Sequence, residues 1–246
     1  MSGRADEGRH VAGEDQWWEE CWDFEFAADD AMFGGFVRIA LYPNQRRAWC
    51  WVYVLRSDGT VVVRDHDVPM PPSSTLLARA DALWCELVCE VPMEHWSIGV
   101  EAFGVRLDDA YDGLRGEIGT RLPVGLDLEW EASAGASVAA DGDIGYQQIG
   151  RVHGDVLLAD EVIALEGDGI RRHTWGARDW SSPWQHVRCT AGVPIRATPN
   201  LLAVIPLPSL DVENAGNPHI TRALSRCVLP DGSDAPGWVE LLHTGR

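Results

Sequence analysis

The chain of 246 residues contains no lysine, and all 20 of its cationic side chains are arginine. That absence excludes Schiff-base catalysis, an anchoring lysine for pyridoxal phosphate and a P-loop lysine. No run of about 18 consecutive apolar residues is present, and Met1 to Asp15 is polar with no apolar leader core, which points to a cytoplasmic protein without integral membrane association. The six cysteines (Cys21, Cys50, Cys85, Cys89, Cys189, Cys227) form no CxxC pair. Neither a disulfide framework nor a zinc ribbon is expected, and Cys85 and Cys89, within the apolar run Ala82 to Val91, read as small hydrophobes. GxSxG, HExxH and Walker A motifs are missing, and Gly167-Asp168-Gly169 is only a fragment of a dinucleotide fingerprint. Hydrolase, metalloprotease and nucleotide-binding classes therefore fall away, and no cofactor is expected. The eight histidines include no HxH or i,i+4 pair. A metal site would need His153, His173 and His186 brought together by the fold; satisfied or surface histidines are the better reading, so no metal is expected.

Positive charge is also scarce, with 38 acidic residues giving a formal net charge of -18. Such a surface repels phosphate backbones, so nucleic acid is not expected as a partner. What the chain has in abundance is tryptophan: twelve, clustered as Trp17, Trp18 and Trp22, then Trp49 and Trp51, then Trp84, Trp96 and Trp130, then Trp175, Trp180 and Trp184, with Trp238 alone. The first cluster, with Glu20, either lids a barrel mouth or closes a barrel bottom.

Patterning predicts an all-β protein. Phe33 to Tyr42, Ala48 to Arg56, Thr60 to Asp65, His95 to Leu107 and Arg121 to Ala132 carry alternating or β-branched apolar residues. Ser57-Asp58-Gly59 reads as a hairpin turn. Only Thr75 to Cys85 looks helical. The small residues of 133–145 mark a boundary, after which short strands resume at Gln147 to Leu158, Val162 to Leu165, His173 to Trp180, Trp184 to Thr190, Leu201 to Ile205, Thr221 to Leu229 and Trp238 to Leu242. The expected organisation is a flexible tail over 1–14, a first antiparallel β-barrel over 15–135 and a second over 146–246.

The densest chemistry lies in Arg171-Arg172-His173-Thr174-Trp175-Gly176-Ala177-Arg178-Asp179-Trp180. A segment rich in both charge and indole must satisfy polar groups beside large apolar rings, as ligand pockets do. If 171–175 is one strand, Arg171, His173 and Trp175 share one face and Arg172 and Thr174 the other, with Asp179 facing away from Trp180. His173 is a candidate for catalysis or for a structural hydrogen bond. Alternation along 94–101 puts Glu94 on the face of Trp96, where it would meet a ligand or an arginine such as Arg38.

With Gly167-Asp168-Gly169-Ile170 before it, this motif resembles the Gly-x-x-x-Arg-Asp-His-Ser-Trp-Gly-x-Arg-Asp-Trp signature of the carotenoid 1,2-hydratase (hydroxyneurosporene synthase) family. Gly34-Gly35-Phe36-Val37-Arg38 to Tyr42-Pro43-Asn44-Gln45, Glu94 to Phe103, Leu126 to Glu131, Tyr146 to Val152 and, more loosely, Arg222 to Glu240 are similar to its uncharacterised bacterial branch. The resemblance implies two lipocalin-like barrels in tandem, the second shortened between Trp180 and Arg222. The pattern's first aspartate is replaced here by Arg172. The resemblance also implies a hydrophobic small molecule, an isoprenoid or polyketide, as partner; a homodimer is left open. Hydration, cyclisation or isomerisation of an alkene begins with protonation to a carbocation, which needs a buried neutral acid and a wall of indole faces. Asp179 is the candidate acid, with Glu94 or Glu129 as alternatives. Trp175, Trp180, Trp184 and Trp96, with Arg171, Arg178 and Glu129, are the candidate ligand-binding residues. The competing reading makes Arg178 and Asp179 a buried ion pair joining the barrels with tryptophan packed around it, and a non-catalytic carrier of a hydrophobic ligand is the alternative function.

Overall fold

The computed structural model describes residues 7–116, 118–139, 144–208 and 218–244. Nearly every ordered segment is an antiparallel strand: β1 (Trp18–Ala28), β2 (Phe33–Tyr42), β3 (Arg47–Arg56), β4 (Gly59–Pro69), β5 (Leu76–Ala80), β6 (Leu83–Val91), β7 (His95–Leu107), β8 (Thr120–Ala132), β9 (Ser137–Val138), β10 (Ile144–Leu158), β11 (Glu161–Ala177), β12 (Gln185–Cys189), β13 (Arg196–Pro206), β14 (His219–Val228) and β15 (Asp234–His243). β2 and β7 span the same residues as the alternation in the sequence. No helix among the described residues is long and apolar enough to cross a membrane.

One sheet runs β4-β3-β2-β1-β11-β10-β8-β7-β6-β5 and closes on itself, because the end of β7 (Val105 to Leu107) pairs with the start of β4 (Thr60 to Val62). The result is a lipocalin-like barrel with the β5–β6 hairpin filling the gap where β4 and β7 diverge. Gly59 makes the closure possible: its φ is +140° and a Cβ there would lie 2.7 Å from the Leu107 carbonyl oxygen. The lumen is packed by Trp22, Phe24 and Phe26 of β1, Trp96 and Ile98 of β7, and Leu128 and Trp130 of β8. Gly150 opens the space for Trp130, since a Cβ at 150 would sit 2.5 Å from that indole.

The second sheet has four strands in the order β12-β15-β14-β13 and covers the outer face of β1 to β3. Trp49, Trp51 and Tyr53 of β3 and Phe36 of β2 meet Trp180, Ile220, Leu224 and Trp238 across this interface. β1 to β3 are therefore buried on both faces.

Three expectations change. The segment Thr75 to Cys85 is the β5–β6 hairpin, turning at Ala82 with φ +57°; its inward residues Ala78, Leu83, Cys85 and Leu87 follow a period of two, which a helix would scatter around its axis. The segment 133–145, of which 140–143 lie outside the described residues, is not a boundary between separate barrels. β8 before it and β10 after it are hydrogen-bonded neighbours from Gly150↔Ala132 to Leu158↔Val124, and β11 pairs with β1. The later half thus gives two strands to the one closed barrel and four to an overlying sheet. Finally, of the tail expected over 1–14, residues 7–10 are pinned across the barrel mouth.

Candidate functional site

Pairing β11 with β1 in the register Trp22↔His173 and Phe24↔Arg171 sets the two faces of the charged motif. Arg171, His173 and Trp175 point to the barrel side, as alternation predicts, and Arg172 and Thr174 to the overlying sheet. β10 adds Tyr146 opposite His173 and Gln148 opposite Arg171.

On the barrel side Arg171 is 1% exposed, with its guanidinium over the rings of Trp130 (5.2 Å), Tyr146 (5.1 Å) and Trp96 (5.4 Å). Its Nε donates to Gln148 Oε1 at 2.8 Å. Its counter-ion is Glu7, whose carboxylate takes Nη2 at 2.7 Å and Nη1 at 3.0 Å, the Tyr146 hydroxyl at 2.7 Å and the Met93 backbone N–H at 2.6 Å. Burial works to raise the Glu7 pKa, but the hydrogen bonds and charge of Arg171, with Tyr146 and Met93 N–H, outweigh it and hold the carboxyl below its usual range.

Two residues further along β11, His173 is fully buried, stacked on Trp22 at 4.3 Å, with Nε2 3.1 Å from Glu20 Oε1. His10 Nδ1 lies 2.8 Å from the same oxygen, and its ring stacks on Trp175 at 3.7 Å. The ligating atoms of His10, Glu20 and His173 lie within 4.8 Å of one another, so these three could hold a metal ion, although they already satisfy one another directly. The trio considered from the sequence is dispersed: His153 faces Glu131 on the outside of the barrel, and His186 lies against Trp184 in the overlying sheet.

Beside Arg171 and Glu7 is a half-open cavity of about 320 Å³ lined by Trp22, Trp96, Leu76, Leu87 and Cys89, by the polar Ser73, Ser74, Thr75 and Glu86, and by Glu7, Gly8 and Arg9. Arg9 ties this strap to the carbonyls of Pro71 (3.2 Å) and Thr75 (2.5 Å), and the His10 N–H donates to Glu20 at 2.9 Å. The indole N–H groups of Trp22 and Trp96 are buried and find no acceptor among the described residues.

The remaining predicted residues sit elsewhere. Asp179 is exposed, and its carboxylate accepts from the Ser181 hydroxyl (2.6 Å) and N–H (2.8 Å), which lower its pKa. An exposed, ionised aspartate is the reverse of a buried neutral donor, and it is not the buried partner of Arg178 that would join two barrels. Arg178 instead lies over Trp180 and Trp184 at 5.2 and 5.0 Å, in the space between the sheets. Glu94 is exposed in the turn before β7, away from the face of Trp96, and Arg38 pairs with Glu19 at 2.8 Å. Glu129 is on the outer face, 2.5 Å from His95 Nε2. Of the predicted set the lumen thus gathers Arg171, His173, Trp175 and Trp96. Sequence reasoning missed Glu7, His10, Gln148 and Tyr146, left Glu20 and Trp22 in a cluster that either lids a barrel mouth or closes a barrel bottom, and gave Trp130 no site role. Tyr146 and Gln148 carried a signal, since both fall on one face of a strand in which they alternate with Gln147.

Arg172 has a different task. With Arg38, Arg188 and Arg222 it meets Glu19, Asp23, Glu25 and Glu240 in a buried network between the sheets. Arg172 reaches Asp23 at 2.8 Å and Glu240 at 3.5 Å, Arg188 reaches Glu25 at 2.5 Å, and Arg222 reaches Asp23 at 2.9 Å and also Glu25. Four cations face four carboxylates, so the arginine at 172 completes a balance.

Among solved structures, a candidate AttH protein from Nitrosomonas europaea superimposes with a TM-score of 0.58 at 10% identity, over 100% of this chain and 97% of that one, which shows a shared fold. CghA, solved free and with Sch210972, gives a TM-score of 0.43 at 12% identity, over 97% of this chain and 94% of that one. Comparison with curated proteins gives no match. The profile of the family described as Domain of unknown function (DUF7064) matches residues 3–198.

Proposed function

We propose that this chain, which belongs to the family Domain of unknown function (DUF7064), binds an apolar small molecule in the tryptophan-walled mouth of its barrel, as a lipocalin-like carrier does. The observation that carries this reading is the cavity of about 320 Å³ against Trp22 and Trp96. Its size falls at the lower end of the roughly 300 to 1,000 Å³ of small-molecule sites, and it sets an apolar side of Trp22, Trp96, Leu76 and Leu87 against a polar side of Ser73 to Thr75 and Glu86. The resemblance of residues 167–180 to the carotenoid 1,2-hydratase family supports an isoprenoid or polyketide-like ligand. The six unpaired thiols fit a reducing compartment such as the cytoplasm.

A second reading is conversion of that ligand without a cofactor, by hydration, cyclisation or isomerisation. It is favoured by one observation: His173 and Glu20 are buried side by side between Trp22 and Trp175. A proton shared by the two would pass to an alkene carbon, the indole faces would shield the cation, and the pair would later take a proton back.

Extraction of the purified protein with organic solvent identifies a bound ligand, and titration of that compound should quench tryptophan fluorescence. Absence of any extractable ligand together with no quenching by isoprenoids or polyketides would overturn the binding reading. Turnover that survives His173→Gln unchanged would overturn the catalytic one.

A further inference from the structure

Every buried arginine between the two sheets is neutralised by acids carried on strands: Glu19, Asp23 and Glu25 on β1 and Glu240 on β15. Arg171 differs. Its barrel neighbours Gln148 and Tyr146 are neutral, and the carboxylate in its two-pronged grip comes from Glu7, outside the barrel wall. A cation buried this deeply is costly without a counter-ion, so the barrel is built to hold a carboxylate at this point. The donors converge on both oxygens: two guanidinium N–H groups, the Tyr146 hydroxyl and the Met93 N–H. Such a fork is matched to a planar carboxylate.

The rest of the site fits a molecule attached to that carboxylate. The cavity begins where Glu7 ends; Trp22, Trp96, Leu76 and Leu87 form its apolar side, Ser73 to Thr75 and Glu86 a polar side, and the strap residues Gly8 and Arg9 contribute to its wall. Trp22 and Trp96 line the same space with their ring surfaces. Withdrawal of residues 7–10 would join cavity and guanidinium into one elongated site with a cationic, anion-binding end and a more apolar end.

We propose that the ligand of the barrel is an amphipathic carboxylic acid, that its carboxylate docks on Arg171, Tyr146 and the Met93 N–H, and that Glu7 is an internal stand-in which the ligand displaces. This rests on the reading of the barrel as an apolar binding site and adds its head group. The net charge of -18 works against approach of an anion, so association should speed up as salt rises, the opposite of ordinary electrostatic steering.

The test is a matched pair of probes, decanoate and decanol, titrated against the full chain by tryptophan fluorescence. Glu7→Ala, which removes the competing carboxylate, should tighten decanoate by about tenfold or more and leave decanol within about twofold. In the same variant, acetate should raise the melting temperature, while chloride at equal ionic strength should not. Glu7→Gln keeps the side-chain volume and should behave similarly if the alanine variant folds poorly. If decanol binds but loss of the Glu7 charge gives decanoate no advantage, and acetate gives no rescue, the head-group assignment is overturned while apolar binding stands. If neither probe binds the wild type or any variant, the binding reading fails first and the head group with it.

Discussion

The Arg171 guanidinium holds the Glu7 carboxylate in a two-pronged fork at 2.7 and 3.0 Å, across 164 residues of sequence, inside a box of three aromatic rings. The pair joins a segment with no apolar pattern to the middle of the longest strand. Its removal should be felt unequally. Glu7→Ala leaves a buried cation alone and should cost about 3 to 5 kcal/mol in urea unfolding at neutral pH, whereas Arg171→Met with Glu7→Ala should recover some of that loss.

Arg172 stands where the resembled motif has aspartate, and restoring that residue should be disastrous. Arg172→Asp would set five carboxylates against three arginines between the sheets, beside Asp23 and Glu240. The expected loss exceeds about 4 kcal/mol, read as insoluble protein or a collapsed melting transition. A soluble variant with an unchanged melting temperature would show that the charge balance is not what holds the sheets together.

Acid should unfold the protein in two stages. Burial, aided by Arg64, Arg47 and Arg38, pushes His66 down to about 3. A depressed histidine gives stability that is complete above its unfolded pKa near 6.5 and is lost as pH falls towards 3, at about 1.4 kcal/mol per pH unit. Burial would raise Asp23, but Arg222, Arg172 and Arg38 outweigh it and bring it down to about 2, so its contribution is kept above the ordinary aspartate range near 3.9 and lost between there and about 2. Glu240 is lowered in the same way against burial by Arg222, Arg188 and Arg172. Urea titrations at pH 7, 5 and 3 should show the first stage vanish in His66→Phe and the second persist.

Part of this fold was legible because alternation survives where one face is wet: β7 and β8 stand close to where the pattern put them, β2 was marked by its short apolar run although both its faces are buried, and the faces of Arg171, Arg172, His173, Thr174 and Trp175 followed from a period of two. β1 was not legible, because barrel and overlying sheet bury both of its faces and Glu19, Asp23 and Glu25 occupy positions where the pattern would demand apolar residues. The same physics hid the single closed barrel, since pairing of β11 with β1 is a long-range contact that no local signal encodes. In the site, composition led to the right motif and then to the wrong side of it. Asp179 and Trp180 lie past Gly176, where the chain leaves the barrel, so their chemistry faces solvent and the intersheet core.

The cavity itself can be filled. Cys89→Phe would project a ring into the space beside Trp96, and it should weaken ligand binding by about tenfold or more while costing no more than about 1 to 3 kcal/mol of stability. Binding unchanged by that ring would place the ligand elsewhere.

Two tryptophan sets distinguish the barrel from the space between the sheets. Fluorescence quenching by the extracted ligand should persist in Trp180→Phe with Trp184→Phe and fall sharply in Trp22→Phe with Trp96→Phe. Quenching that survives loss of Trp22 and Trp96 but disappears with Trp180 and Trp184 would contradict binding in the barrel.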